Sequence, residues 1–261
     1  MEREHMSENP HEAVDQLFKK NQSTEVISRL NHGENIQDII NTEFNPEQNF
    51  SPEEIECSDG RCPHHGKEIS VAGSGILLSE EEFDMMMKKY PDIKVITTHA
   101  DCGAGKLAFA NAQKNETVPP GITTAEEFAA DWAKKMAAKY NLSYRHIGVD
   151  EFVAPYHHEQ GIMVDTTGKI HQKMVNGMSN MFASHTASFA HPDNVIAEVQ
   201  VLTNIGLGDH GLGQRITDEK PFYIMVACAD TQKAEQMHEA FSTALKDHGD
   251  NVQIKTFVVP N

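Results

Sequence analysis

The 261-residue chain is short of the features that mark several large protein classes. No apolar run approaches the roughly 18–20 residues that a membrane-spanning helix needs. The opening residues, MEREHMSENPHE, offer neither the basic start nor the apolar stretch of a secretory signal, so the expectation is a cytoplasmic protein. Four cysteines (Cys57, Cys62, Cys102, Cys228) are too few to staple a chain of this length, which favours reduced thiols or metal ligands. Basic residues are scarce too, 22 Lys and Arg against 39 Asp and Glu, for a net charge of −17. A surface this acidic has little with which to neutralise phosphate, and argues against nucleic acid or an anionic membrane as partner. What the chain does have is 39% hydrophobic residues, enough at this length for a substantial core.

From residue 54 short apolar runs alternate with amphipathic stretches. Glu54–Cys57, Lys67–Ala72, Asp92–Thr98, Arg145–Val149, Gly161–Asp165, Pro221–Cys228 and Val252–Val259 read as strands. Ser79 caps a helix with Glu80, Glu81 and Glu82 in its first turn and Phe83, Met86 and Met87 on one face. Thr124–Tyr140 and Thr231–Asp247 are further helices, and Asn194–Leu207 is ambiguous between helix and strand. This alternation predicts an α/β fold with a mostly parallel central sheet flanked by helices. Residues 1–50 differ in texture. Asn9 and Pro10 start a helix whose Val14, Leu17 and Phe18 form a short apolar stripe, and Glu25–Leu30 is a second weak helix. The reading is an N-terminal helical arm over 1–50 and a single α/β domain over 51–261. No internal repeat is evident; Cys228-Ala-Asp230 echoes Cys57-Ser-Asp59 too briefly to argue one.

Three words carry the chemistry: Cys57-Ser-Asp59-Gly-Arg61, Ala72-Gly73-Ser74-Gly75 and His99-Ala-Asp-Cys102-Gly103. Cys57, His99 and Cys102 supply two thiolates and an imidazole, a set suited to zinc and tolerant of the softer cadmium. Three protein ligands leave one tetrahedral position open, as a catalytic metal requires. Each ligand falls where a strand gives way to a loop, the edge at which open α/β sheets gather ligand sites. Cys102 also opens a helix, where backbone N–H groups favour a thiolate. A carboxylate clamped by a guanidinium stays ionised, so Asp59 beside Arg61 is a candidate to orient whatever fills the open position. Cys62, His64 and His65 follow directly and read as loop lining, with a second metal site as the alternative. His157-His158-Glu159 reads as polar surface, with a proton relay as the alternative.

The order C-x-D-x-R then H-x-x-C-G, over residues 57–105, resembles the β-class carbonic anhydrases and their cadmium-tolerant ζ-class relatives. Gly60 matches the C-x-D-G-R of the ζ-like members, while the H-x-x-C spacing is that of the β class. The resemblance implies a zinc lyase that interconverts CO2 and bicarbonate, with Cys57, His99 and Cys102 on the metal. It casts Asp59 and Arg61 as the catalytic pair and Gly73 and Gly103 as turns against which substrate lies. A carbonyl sulfide or carbon disulfide hydrolase on the same ligands, or a non-catalytic metal-binding relative, are the alternatives. It also implies a homodimer or higher homo-oligomer, with Val14, Leu17 and Phe18 docking in a partner's groove; the alternative is an arm folded back on its own domain. Beyond residue 150 no motif extends the resemblance.

Overall fold

The computed structural model describes residues 10–209 and 211–260. Asn9, read above as a helix cap, lies outside the described residues. Three helices come first: α1 (Pro10–Gln22), α2 (Glu25–Asn31) and α3 (Ile36–Glu43). The third was not anticipated, although Asn35 caps it through a bond from the Gln37 N–H and Ile36, Ile39 and Ile40 form its buried stripe.

The chain then runs through β1 (Glu54–Glu56), β2 (Glu68–Ser70), α4 (Glu80–Lys89), β3 (Val95–His99), α5 (Gly103–Lys114), α6 (Ala125–Tyr140) and β4 (Ser143–Ile147). Ser79 and Thr124 close capping boxes with Glu82 and Glu127, which sets where α4 and α6 begin. After a long connection come β5 (Gly161–Asp165), β6 (Phe182–Ser184), α7 (Pro192–Leu207), β7 (Phe222–Cys228), α8 (Thr231–Ala244) and β8 (Val252–Val258). The fold is α/β with parallel strands and flanking helices, and the arm is helical. The strands divide between two four-stranded parallel sheets, ordered β2-β1-β3-β4 and β6-β5-β7-β8.

Position for position these two orders are the same. The chain therefore contains a structural repeat that its letters conceal. The last ladder pair of β3 with β4 is His99 with Ile147, and that of β7 with β8 is Cys228 with Val258, so Cys228 stands where His99 does. The echo of Cys57-Ser-Asp59 in Cys228-Ala-Asp230 joined the wrong strands. Counting on from Ile55 beside Ile96 puts Cys57 beside Thr98, and Asp165 beside Ala227 is its equivalent. Cys57-Ser-Asp-Gly-Arg61 thus matches Asp165-Thr-Thr-Gly-Lys169, with only the glycine unchanged.

The sheets meet edge to edge at β2 and β6. The His185 N–H donates to the Ser70 carbonyl and the Ser70 N–H to His185 Nδ1, each at 2.9 Å. Buried Glu198 of α7 ties both edges, accepting from Ser58 Oγ at 2.9 Å, Ser184 Oγ at 2.9 Å and the Ala72 N–H at 2.7 Å.

Period-two alternation lets the second sheet build two cores. On one face Ile162, Val164, Phe222 and Ile224 pack with α7, α8 and with Val14 and Phe18 of the arm. On the other, Met163, Tyr223 and Met225 pack with Val26, Ile27, Ile39 and Ile40 of α2 and α3. Of the arm's stripe, Val14 and Phe18 are buried within their own chain, while Leu17 is half-buried. Burying a Val or Phe side chain is worth about 1.5–3 kcal/mol, so this docking is strongly favoured over an arm left in water. The first sheet forms its core with α4 and α6, through Ile55, Ile96, Phe83, Met86 and Ala133.

His185 stacks on Phe50 at 5.0 Å, and its Nε2–H donates to the Ile170 carbonyl. Burial pushes its pKa down to about 4. Because the folded value lies below the ordinary ~6.5, the unfolded chain binds the proton first. The stabilisation is present above pH ~6.5 and is lost as the pH falls through about 4. Between pH 7 and 4.5 the wild type should lose about 2–3 kcal/mol more stability than His185→Gln in urea unfolding. Equal losses in the two proteins would refute this.

Candidate metal centre

At the carboxyl ends of β1 and β3, Cys57, His99 and Cys102 converge, with one ligand atom from each within 4.8 Å of the others. The two sulfurs lie 4.0 Å apart. A tetrahedral ion with metal–sulfur bonds of about 2.3 Å needs about 3.8 Å. The His99 Nδ1–H donates to the Ala100 carbonyl at 2.8 Å, which leaves Nε2 as the ring nitrogen directed into the site. That Nε2 is buried and has no hydrogen-bond partner, as expected of an atom reserved for a metal. The Gly73 N–H donates to Cys57 Sγ at 3.2 Å and the Gly105 N–H to Cys102 Sγ at 3.5 Å. Gly73 sits at φ +57°, where a Cβ would lie 2.7 Å from Ile76 and 2.8 Å from Ala104, so the tight turn needs glycine.

Electrostatics fit the same arrangement. The Cys102 thiol, donating to Cys57, and the nearby His99 hold Cys57 well below the usual thiol range, while Cys102 is pushed up correspondingly. Cys57 is thus the readier thiolate, and a metal ion would displace the proton of Cys102. Burial works to lower His99, but the charges of Cys57 and Asp59 carry it up to about 9. These residues form a group able to hold a metal ion.

Asp59 stands on the open side, its Oδ2 3.8 Å from His99 Nε2. Arg61 clamps it through two donors, Nε to Oδ1 at 3.0 Å and Nη2 to Oδ2 at 2.7 Å. Burial would raise the Asp59 carboxyl, yet Arg61, His157 and His99 hold it well below the usual range. Arg61 lies over the Phe152 ring, 4.9 Å from its centroid. Gly60 leaves room for Glu159, whose side chain would come within 2.7 Å of a Cβ there.

The site opens into a cavity of about 630 Å³ at the seam between the sheets. The first half lines it with Cys57, Asp59, Arg61 and Gly103, and the second half with Phe182, Leu202 and Ile205. Tyr156 and His157, from the segment joining the halves, complete the wall. His157 was read as polar surface; it turns inward instead, Nδ1 3.2 Å from Glu159 and 3.7 Å from Asp59 Oδ1. The i, i+2 spacing that puts His157 and Glu159 on one side was the available signal. Nothing local could announce Phe182, Ile205 or Glu198, which arrive by tertiary packing.

Among the described residues, the equivalent place in the second half has no such ligand set. Asp165 stands for Cys57, and its Oδ1 accepts from the Thr167 N–H at 2.8 Å and hydroxyl at 2.7 Å. Cys228 stands for His99, and its sulfur faces its own strand's Val226 carbonyl at 3.8 Å. The chain matches no protein-family model, no curated protein and no solved structure. Among the described residues no helix is long and apolar enough to cross a membrane.

Cadmium titration should develop one equivalent of thiolate-to-metal ultraviolet absorption in the wild type. Cys57→Ser and Cys102→Ser should each lose most of it. An undiminished band in Cys102→Ser would remove that residue from the centre.

Proposed function

We propose that this chain is a zinc-dependent carbonic anhydrase, hydrating CO2 reversibly to bicarbonate. The observation that carries the reading is the Arg61-clamped Asp59 carboxylate, held 3.8 Å from the unpartnered His99 nitrogen on the open side of a Cys2His set. Zinc held there would supply a Lewis acid that lowers the pKa of water, to about 7 in a carbonic anhydrase with a different, three-histidine site. Cadmium is the expected substitute. The match of C-x-D-G-R and H-x-x-C to the β and ζ classes supports the same reading.

The chain's own residues have separable tasks. Asp59 is acceptor-only, since Arg61 keeps it ionised. It takes the hydrogen bond of a water on the open side and so turns that water's lone pair toward the cavity. Phe182, Leu202 and Ile205 offer an apolar wall on which a small non-polar substrate rests without competing for the polar groups. Gly103, at the mouth, leaves backbone room for the substrate's approach. His157 accepts a proton near Asp59 and passes it outward, with Glu159 orienting its ring at 3.2 Å. The same wall would admit carbonyl sulfide and carbon disulfide.

Stopped-flow assays with all three substrates decide among the activities; no turnover of CO2 by the zinc-loaded protein ends this reading. Asp59→Asn should keep the cadmium–thiolate band and lose about 10²-fold or more in CO2 hydration. Undiminished hydration by that variant would exclude the orienting role. His157→Ala should slow turnover chiefly at low buffer concentration, and added imidazole should restore it. A slowdown that imidazole leaves untouched would take His157 out of the proton path.

A further inference from the structure

Beneath the loop that carries Asp59 and Arg61, four ionisable side chains meet with water excluded. Glu56 ends β1, Glu68 opens β2, His64 lies between them, and His171 comes from the second half. Their side chains are 1%, 2%, 3% and 0% exposed, respectively. His64 Nδ1 is 3.3 Å from Glu56 Oε2 and 3.2 Å from Glu68 Oε1. None of these is a formed hydrogen bond: His64 Nδ1, Glu68 Oε1 and both Glu56 oxygens have no partner. Ligand atoms of His64, Glu68 and His171 lie within 4.8 Å of one another, and Glu56 Oε2 adjoins the same His64 nitrogen.

The protons can be placed. His64 Nε2 is 3.0 Å from the Asp59 carbonyl, which can only accept, so Nε2 carries a hydrogen. The ring then turns its Nδ1 toward the two carboxylates. Glu68 Oε2 accepts from the His65 N–H at 3.1 Å and the Lys67 N–H at 2.9 Å, which leaves Oε1 free. His171 Nδ1 accepts from the Lys173 N–H at 3.1 Å, so its Nε2 keeps a proton and faces Glu68 Oε1 at 2.8 Å. His171 thus faces Glu68 with an N–H and not a lone pair, so it stands beside the ligand set and outside it.

Two buried carboxylates need a compensating charge, since an unpaired one costs several kcal/mol. An imidazolium at His64 would balance only one of them and would share its single Nδ1–H between Glu56 and Glu68. A divalent cation balances both and takes an oxygen from each. Bonds of about 2.0–2.2 Å in a tetrahedral site place nitrogen and oxygen ligands about 3.3–3.5 Å apart. The observed separations of 3.3 and 3.2 Å match that spacing.

We propose that Glu56, His64 and Glu68 form a second, structural site for a first-row divalent cation, separate from the thiolate centre. One nitrogen and two carboxylate oxygens suit zinc or manganese better than the soft ions favoured by two thiolates. The ion's place is to brace the catalytic loop from below. Glu56 directly precedes Cys57, and His64 holds the Asp59 carbonyl.

The test counts metal and does not depend on turnover, so its outcome is independent of the proposed activity. Full-length protein dialysed against zinc, and separately manganese, with the excess removed, is analysed by elemental mass spectrometry. Zinc should reach two equivalents per chain in the wild type and one in the Cys57→Ser/Cys102→Ser protein. Glu56→Gln/Glu68→Gln should hold one, with its cadmium–thiolate band intact, and His171→Gln should weaken retention of the second ion about 10-fold or more. A wild type that stops at one equivalent overturns the proposal without recourse to any variant. A second equivalent that survives in Glu56→Gln/Glu68→Gln assigns it elsewhere and overturns the proposal equally.

Discussion

The seam between β2 and β6 is the constraint on which the other features depend. Each strand is the edge of its own parallel sheet, and an edge left open exposes a row of unpaired backbone groups. Ser70 and His185 close the gap with reciprocal hydrogen bonds, and Glu198 binds Ser58, Ala72 and Ser184 from behind. The second bonds reach the loops that follow β1 and β2, so joining the sheets also positions Cys57 and the Gly73 turn. The cavity beside them has walls from both halves because it lies at this joint.

Two halves with one topology have diverged in chemistry. In the first, the strand ends carry Cys57, Asp59, Arg61 and His99; in the second, the matching positions carry Asp165, Thr167, Lys169 and Cys228. The second half serves instead as wall and support. Phe182, Leu202 and Ile205 cover the site, and α1, α2 and α3 fold over its sheet from both sides. A sheet whose strands β5 and β7 are buried on both faces needs two apolar layers, and the arm supplies part of each.

For so acidic a protein the interior holds a concentrated set of charges: Asp59 with Arg61, His157 with Glu159, and Glu56, Glu68 and His64. Buried charges persist only where partners offset desolvation. Asp59 meets that condition through Arg61 within its own loop, two residues away. The Glu56 and Glu68 pair draws on His171 from the other half, which links the packing of the halves to the loop above them.

Local chemistry was legible in the sequence. The capping residues Ser79 and Thr124 mark their helices, the apolar runs mark seven of the eight strands, and Cys57, His99 and Cys102 could be grouped because each sits at a strand end. Such signals act within a few residues, through backbone hydrogen bonds and side-chain periodicity. Strand β6, Phe182-Ala-Ser184, lies among Ser179, Asn180, His185 and Thr186, which leave no apolar run to announce it. The division into two sheets, the arm's return onto its own chain, the inward turn of His157 and the meeting of His64 with His171 were decided only by the tertiary structure. Edge pairing and apolar burial join residues far apart in the chain, and burial, being non-directional, carries no mark in the local sequence of which faces will meet.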